Sequence, residues 1–212
     1  MAKLRVCFVG DSITNGTGDT GFLGWPGRLC AAEVTAGHDL TDYNLGIRGD
    51  TSADILPRWE AEVRARLPAG VASAIVFNLG LNDATEEDGR IRVPMAESVA
   101  NLRAMLSGAK ALHPTLWVGP TAVEDSRMPL KTDTGETRDK RNARTADYNL
   151  AFKALAHELD VPYLDMLSKT INDPGWPALL SDGLHPLPEG HQKMAEMVGA
   201  WDAWRRLLPT GA

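Results

Sequence analysis

Leu4-Arg5-Val6-Cys7-Phe8-Val9-Gly10-Asp11-Ser12-Ile13-Thr14 is the stretch on which the fold turns. Its first half is a short apolar run rich in β-formers, and its second half sets Gly10 and Asp11 ahead of a serine suited to a helix start. A strand, a tight turn and a helix in immediate succession open a parallel α/β unit. The pattern recurs along the chain. Residues 42–45, 74–79, 116–118 and 161–164 are further strand candidates, and segments of helical period separate them. This alternation predicts an α/β domain built on a parallel sheet.

Between the strands, Ile55, Trp59, Val63 and Leu67 fall at i+4 steps and predict a helix capped by Thr51 or Ser52. Met95, Val99, Leu102, Leu106 and Ala109 mark a second helix face, and Tyr148, Phe152, Leu155 and Leu159 a third. Met194, Val198, Trp201 and Leu208 predict one last helix, which Pro188-Glu189 would start. Pro114 and Pro209 stand just past helix ends. Residues 121–138 are polar, contain Pro129 and Gly135, and read as a loop over one end of the sheet, bordering the site. No repeat or linker divides the chain, so residues 1–212 are expected to form a single domain.

Composition narrows the function. With 43% hydrophobic and 24% charged residues the chain is ordinary for a folded globular protein. A net charge of -6 argues against a nucleic-acid partner, because neutralising phosphates needs an excess of Lys and Arg. The short basic cluster Arg138, Lys140, Arg141 and Arg144 is interleaved with Asp139 and reads as a solvated loop leading into a helix. No apolar run approaches the roughly 20 residues that cross a bilayer, so no membrane partner is expected and the chain reads as cytoplasmic. Cys7 and Cys30 are too few for a disulfide framework and read as buried thiols.

In a parallel α/β sheet, ligands bind beyond the carboxyl ends of the strands. Four polar segments fall there or in end loops. Gly10-Asp11-Ser12 offers a hydroxyl at a helix N-terminus, and Asn44-Leu45-Gly46-Ile47-Arg48-Gly49 offers a backbone N–H at Gly46. Gly80-Leu81-Asn82-Asp83 adds an amide donor, and Asp182-Gly183-Leu184-His185 puts an acid and an imidazole on one loop. Each alone is an ordinary cap or turn. Together they hold a nucleophile, a base, an orienting carboxylate and three donors for an oxyanion.

The ordered set Ser12, Gly46, Asn82 and His185 resembles the SGNH hydrolases, the GDSL esterase and lipase family, over almost the whole span from Gly10 to His185. Ile13 stands where leucine gives that family its name, a swap of similar volume. The resemblance implies a three-layer α/β/α sandwich with a central, mostly parallel five-stranded sheet of flavodoxin-like type. It also implies a serine esterase without cofactor or metal. Ser12 would be the nucleophile, His185 the base and Asp182 its orienter, with the Ser12 and Gly46 N–H groups and the Asn82 side chain as the oxyanion hole. Asp11 and Asp83 would fix local turns.

Rival readings fit less well. Gly10-x-Ser12-x-Thr14 lacks the second glycine of the α/β-hydrolase elbow, follows the first strand, and is served by an acid and a base from one loop. Gly16, Gly18 and Gly21 match a nucleotide-binding fingerprint but begin several residues after the strand, with Asp19 placed to repel a pyrophosphate. The five histidines form no His-x-x-x-His pair, which argues against zinc. Family resemblance allows lysophospholipase, thioesterase, arylesterase or carbohydrate O-acetyl esterase activity. The absence of an amphipathic lid favours a small, soluble, short-chain carboxylic ester. Candidate pocket walls are Phe22, Leu23, Trp25, Arg48, Leu81, Trp176, Leu184 and residues 121–138, and either a monomer or a small oligomer is compatible with them.

Overall fold

Five parallel strands, β1 (Lys3–Gly10), β2 (Asp39–Gly46), β3 (Ser73–Asn78), β4 (Thr115–Val118) and β5 (Tyr163–Leu164), form the central sheet in the order β2-β1-β3-β4-β5. The computed structural model describes residues 3–132 and 135–208. Both faces of a parallel sheet are covered by its crossover helices, so alternate residues of each strand enter different cores. Leu4, Val6 and Phe8 share one core with Val76 and Val118, while Cys7 and Val9 join Ile75, Phe77 and Trp117 in the other. That two-sided burial explains why β1 and β3 read as continuous apolar runs.

The helices are α1 (Ser12–Asn15), α2 (Gly24–Thr35), α3 (Ser52–Ile55), α4 (Trp59–Arg66), α5 (Met95–Leu112), α6 (Asn142–Glu158), α7 (Met166–Ile171), α8 (Pro188–Gly199) and α9 (Asp202–Arg205). Apolar side chains of α2, α7, α8 and α9 fill the first core, and those of α3, α4, α5 and α6 the second. The result is the expected three-layer α/β/α sandwich. Cys7 and Cys30 are free thiols in opposite cores, and burial pushes the Cys7 thiol up to about 12.

Two expected helices are broken. The i+4 series from Ile55 to Leu67 splits into α3 and α4 at Pro57, which has no N–H to give and crowds the preceding turn. Thr51 supplies the cap of α3, in a reciprocal capping box with Asp54. The last helix ends at Gly199, and Trp201 takes an extended conformation before α9. Pro209 lies outside the described residues.

Residues 121–138 are more ordered than a loop. Leu130–Lys131 and Thr137–Asp139 pair with each other, and with Glu86–Glu87 and Arg90–Ile91 they make a small antiparallel flap. Strands of two or three residues are too short to show a hydrophobic period, which hides them from sequence. Asp133 and Thr134, within the same stretch, lie outside the described residues. No described helix is long and apolar enough to cross a membrane.

Candidate active site

Ser12 is the first residue of α1, directly beyond the carboxyl end of β1. Asp11 caps that turn, its Oδ1 accepting the Ile13 N–H at 2.9 Å. This leaves the Ser12 N–H, at the head of the helix, without an acceptor in the protein among the described residues. Arg58 braces the turn from behind, donating to the Gly10 and Leu45 carbonyls at 3.1 Å each and pairing with Asp50 at 2.9 Å. One side chain thereby ties the ends of β1 and β2 together.

The loop carrying Asp182 and His185 is closed by Ser181 N–H donating to the His185 carbonyl at 2.8 Å and by a bridge between Leu180 and Pro186. Inside it, Asp182 Oδ1 accepts the N–H groups of Leu184 and His185 at 3.0 and 2.7 Å. Its other oxygen lies 2.7 Å from His185 Nδ1, and His185 Nε2 lies 3.0 Å from Ser12 Oγ. Against the upward push of burial, the hydrogen bond and charge of His185 and the two backbone donors hold the Asp182 carboxyl well below the usual range. A carboxylate on Nδ1 fixes the tautomer with its proton there, so Nε2 faces the serine as a base.

The glycine assignment needs correction. The Gly46 N–H donates to Asn44 Oδ1 at 3.0 Å, and a Cβ on Gly46 would sit 2.3 Å from the Asn15 nitrogen. Gly46 is therefore a packing glycine that lets β2 press against the serine turn. Gly49, three residues on, lines the cleft with φ +85°, and its N–H has no acceptor in the protein among the described residues. Asn82 also lines the cleft, giving one Nδ2 hydrogen to the Asp50 carbonyl at 2.9 Å and making a longer contact, 3.4 Å, with Asp11 Oδ2. Asp83 points the other way, accepting from Ser52 N–H at 2.7 Å and Ser98 Oγ at 2.5 Å, so it ties the Asn82 turn to α3 and α5 instead of fixing that turn from within.

Ser12, Asn82, Asp182 and His185 converge on one open cleft of about 410 Å³. Of the expected pocket walls, Arg48 and Leu184 line it, and the flap contributes Leu130, Lys131, Thr132 and Arg138. The others do something else. Trp25 is wholly buried in the first turn of α2 and donates its indole N–H to Asn78 Oδ1 at 3.2 Å, while Trp176 donates to the Ala122 carbonyl at 2.9 Å. Large aromatic side chains near the site support it from inside the core. Leu81 packs under the flap with Val123, Met128 and Leu184, and Phe22 is 92% exposed, away from the cleft.

The basic cluster is not a solvated loop. Lys140 is 2% exposed and lines the cleft floor, and Arg144 donates to the Ala84 and Asp139 carbonyls at 3.2 and 2.9 Å. Lys140 Nζ gives hydrogen bonds to Asn82 Oδ1 at 3.0 Å and Thr85 Oγ1 at 2.6 Å. Burial, with the charge of Arg92, brings its amine down to about 7, while burial pushes the nearby Asp11 carboxyl up to about 6. Nothing in the sequence joins residues 82 and 140, because their contact is made by the fold alone.

Gly16, Gly18 and Gly21 form no phosphate cradle. Asp19 accepts the N–H groups of Gly21 and Gly24 at 2.9 Å each and the Arg28 guanidinium at 2.8 Å, filling the place an anion would need. Against burial, these donors hold the Asp19 carboxyl at about 2. Because the folded value lies below the unfolded one, near 4, the stabilisation is full above that range and is lost as pH falls toward 2. Asp19→Ala is expected to lower stability at pH 7 by roughly 2–4 kcal/mol, read from the urea midpoint. A shift within 0.5 kcal/mol would count against this anchoring, since surface changes fall within about that range. Among the described residues no group of three or more His, Cys, Asp or Glu side chains is placed to hold a metal ion. His191 is buried between the Trp25 N–H, at 3.2 Å from Nδ1, and the Thr17 carbonyl, at 3.2 Å from Nε2.

Comparison with known proteins points to one family. The GDSL-like lipase/acylhydrolase family matches residues 8–193. An arylesterase of Vibrio mimicus is 26% identical over 200 residues, covering 93% of this chain and 88% of the relative. An isoamyl acetate-hydrolyzing esterase 1 homolog of Bos taurus is 29% identical over 196 residues, covering 89% of this chain and 77% of the relative. In structure, the lipase/acylhydrolase from Enterococcus faecalis superposes with a TM-score of 0.79 at 23% identity, covering 100% of both chains. The chain belongs to the GDSL-like lipase/acylhydrolase family, and with it to the carboxylic ester hydrolases.

Proposed function

We propose that this chain hydrolyses small, short-chain carboxylic esters through an acyl-enzyme on Ser12. The observation that carries the reading is the unbroken line from Asp182 through His185 to Ser12, with contacts of 2.7 and 3.0 Å. His185 Nε2 takes the Ser12 proton as Oγ attacks the ester carbon, and the imidazolium then gives that proton to the departing alcohol. Water repeats the sequence on the acyl-serine and releases the acid. The negative oxygen of each tetrahedral intermediate is met by the N–H groups of Ser12 and Gly49 and by the loosely held Nδ2 hydrogen of Asn82.

The cleft supports the short-chain preference. Leu130 and Leu184 are its apolar lining side chains, among Arg48, Lys131, Arg138 and other polar groups. A long acyl chain needs a continuous apolar channel, because each buried CH₂ contributes about 0.8 kcal/mol. Two relatives named for aryl esters and isoamyl acetate point the same way. A nitrophenyl ester series from acetyl to long chains, run beside acetylated sugars, is expected to show kcat/KM falling as the acyl chain lengthens. A rising profile would assign a lipid substrate, and a preference for the sugars a carbohydrate O-acetyl esterase.

A further inference from the structure

The Asn82 amide is gripped at both ends by charge. Lys140 Nζ donates to its oxygen at 3.0 Å, while Asp11 Oδ2 lies 3.4 Å from its nitrogen. Lys140 is otherwise an expensive residue in this position. It is 2% exposed, and both acceptors of its hydrogen bonds, Asn82 Oδ1 and Thr85 Oγ1, are neutral oxygens. Thr85 is itself fully buried and passes its hydroxyl proton to the Leu81 carbonyl at 2.9 Å, so it holds the ammonium without neutralising it. Arg92 and Arg138 repel the amine and Asp11 and Glu87 attract it, with burial the largest influence. An ammonium taken out of water with only neutral hydrogen-bond partners is poorly compensated, so packing alone does not account for its place here.

We propose that Lys140 is a positioning residue of the oxyanion hole, whose buried ammonium orients and polarises the Asn82 amide. The proposal rests on the reading of Asn82 as an oxyanion donor. While protonated, Lys140 is a donor only, so the atom it faces is the amide oxygen, and the NH₂ group is turned toward the Asp50 carbonyl and Asp11, the residue before Ser12. A cation on that oxygen draws density from the amide and strengthens Nδ2–H as a donor, as charge-assisted and chained hydrogen bonds do. In a buried site this field acts without reorganisation when negative charge forms on the substrate, so its effect falls on the transition state more than on substrate binding.

The test is a double-substitution cycle in the intact protein. Lys140→Met keeps the length and packing of the stem and removes the charge and the donors. It is expected to lower kcat about 10- to 100-fold with KM changed less than about 3-fold. In the Asn82→Ala background the same change is expected to cost less than about 3-fold, because the group it acts through is already gone. Equal losses in both backgrounds would overturn the proposal, as would an unchanged kcat in Lys140→Met when Asn82→Ala alone is slow. A fast Asn82→Ala variant would instead remove the underlying reading and the proposal with it. Lys140→Gln, which retains a neutral donor, serves if the methionine variant does not fold, and stoichiometric labelling of Ser12 by a fluorophosphonate reports how much of each variant is assembled. Gln is expected to lie between Lys and Met, and full activity with Gln would show that the charge is not used.

Discussion

Ser12→Ala is expected to lower kcat for a short nitrophenyl ester by on the order of 10⁶-fold, and His185→Ala by a similar factor. The serine hydroxyl is a poor nucleophile without a base, and its one described side-chain hydrogen bond is the 3.0 Å contact to His185 Nε2. Removing it therefore deletes the attacking atom and leaves the turn intact, since Asp11 still caps Ile13 and Arg58 still braces the strand ends. The two losses should not multiply, because serine and imidazole act as a unit, and the double variant should be about as slow as either single one. The Ser12→Ala variant should also keep its melting temperature and lose covalent labelling by a fluorophosphonate. Turnover retained within about 10-fold in a folded Ser12→Ala variant would place the reaction on another group.

The second largest effect is expected at Asn82. Asn82→Ala should reduce kcat by about 10²- to 10³-fold while KM stays near its original value, because the amide contributes most once the carbonyl oxygen has become negative. Retention of activity within a few-fold would show that the backbone donors at Ser12 and Gly49 suffice. The loss should exceed that of a neighbouring support such as Asp83→Asn, whose carboxylate touches Ser52 and Ser98 instead of the cleft.

That Ser12, Asn82, Asp182 and His185 would share one cleft was legible from residue types in order. Ser12, Asn82, Asp182 and His185 were recognisable because each needs a particular functional group, and few residue types supply a nucleophile, an amide donor or an imidazole beside an acid. The glycines were a different matter. Gly46 and Gly49 are chemically identical, and what separates them is the direction of one N–H, set by Asn44 and by a positive φ. Trp25 and Trp176 carried the opposite error, since proximity in sequence to the serine and the base suggested contact with substrate. Their indole N–H groups find partners inside the core, at Asn78 and Ala122. Lys140 reads in the sequence as one charge of a solvated cluster, because its burial depends on a flap assembled from segments about Glu86 and Thr137.

The two contacts of the Asp182–His185–Ser12 line have different origins. Asp182 and His185 find each other across a separation of three residues, a local event inside a small closed loop, whereas the contact from His185 to Ser12 spans 173 positions of the chain. During synthesis from the N-terminus, the serine turn and the loops that carry Gly49 and Asn82 leave the ribosome long before His185 does. A nascent chain that ends before His185 also lacks α8 and α9, whose Met194, Val198 and Trp204 fill one of the two cores, so the base and the packing that completes the sheet arrive together. Activity should appear only after the His185 loop has emerged and docked, so ester turnover on stalled chains of increasing length would serve as a clock for the final step of folding.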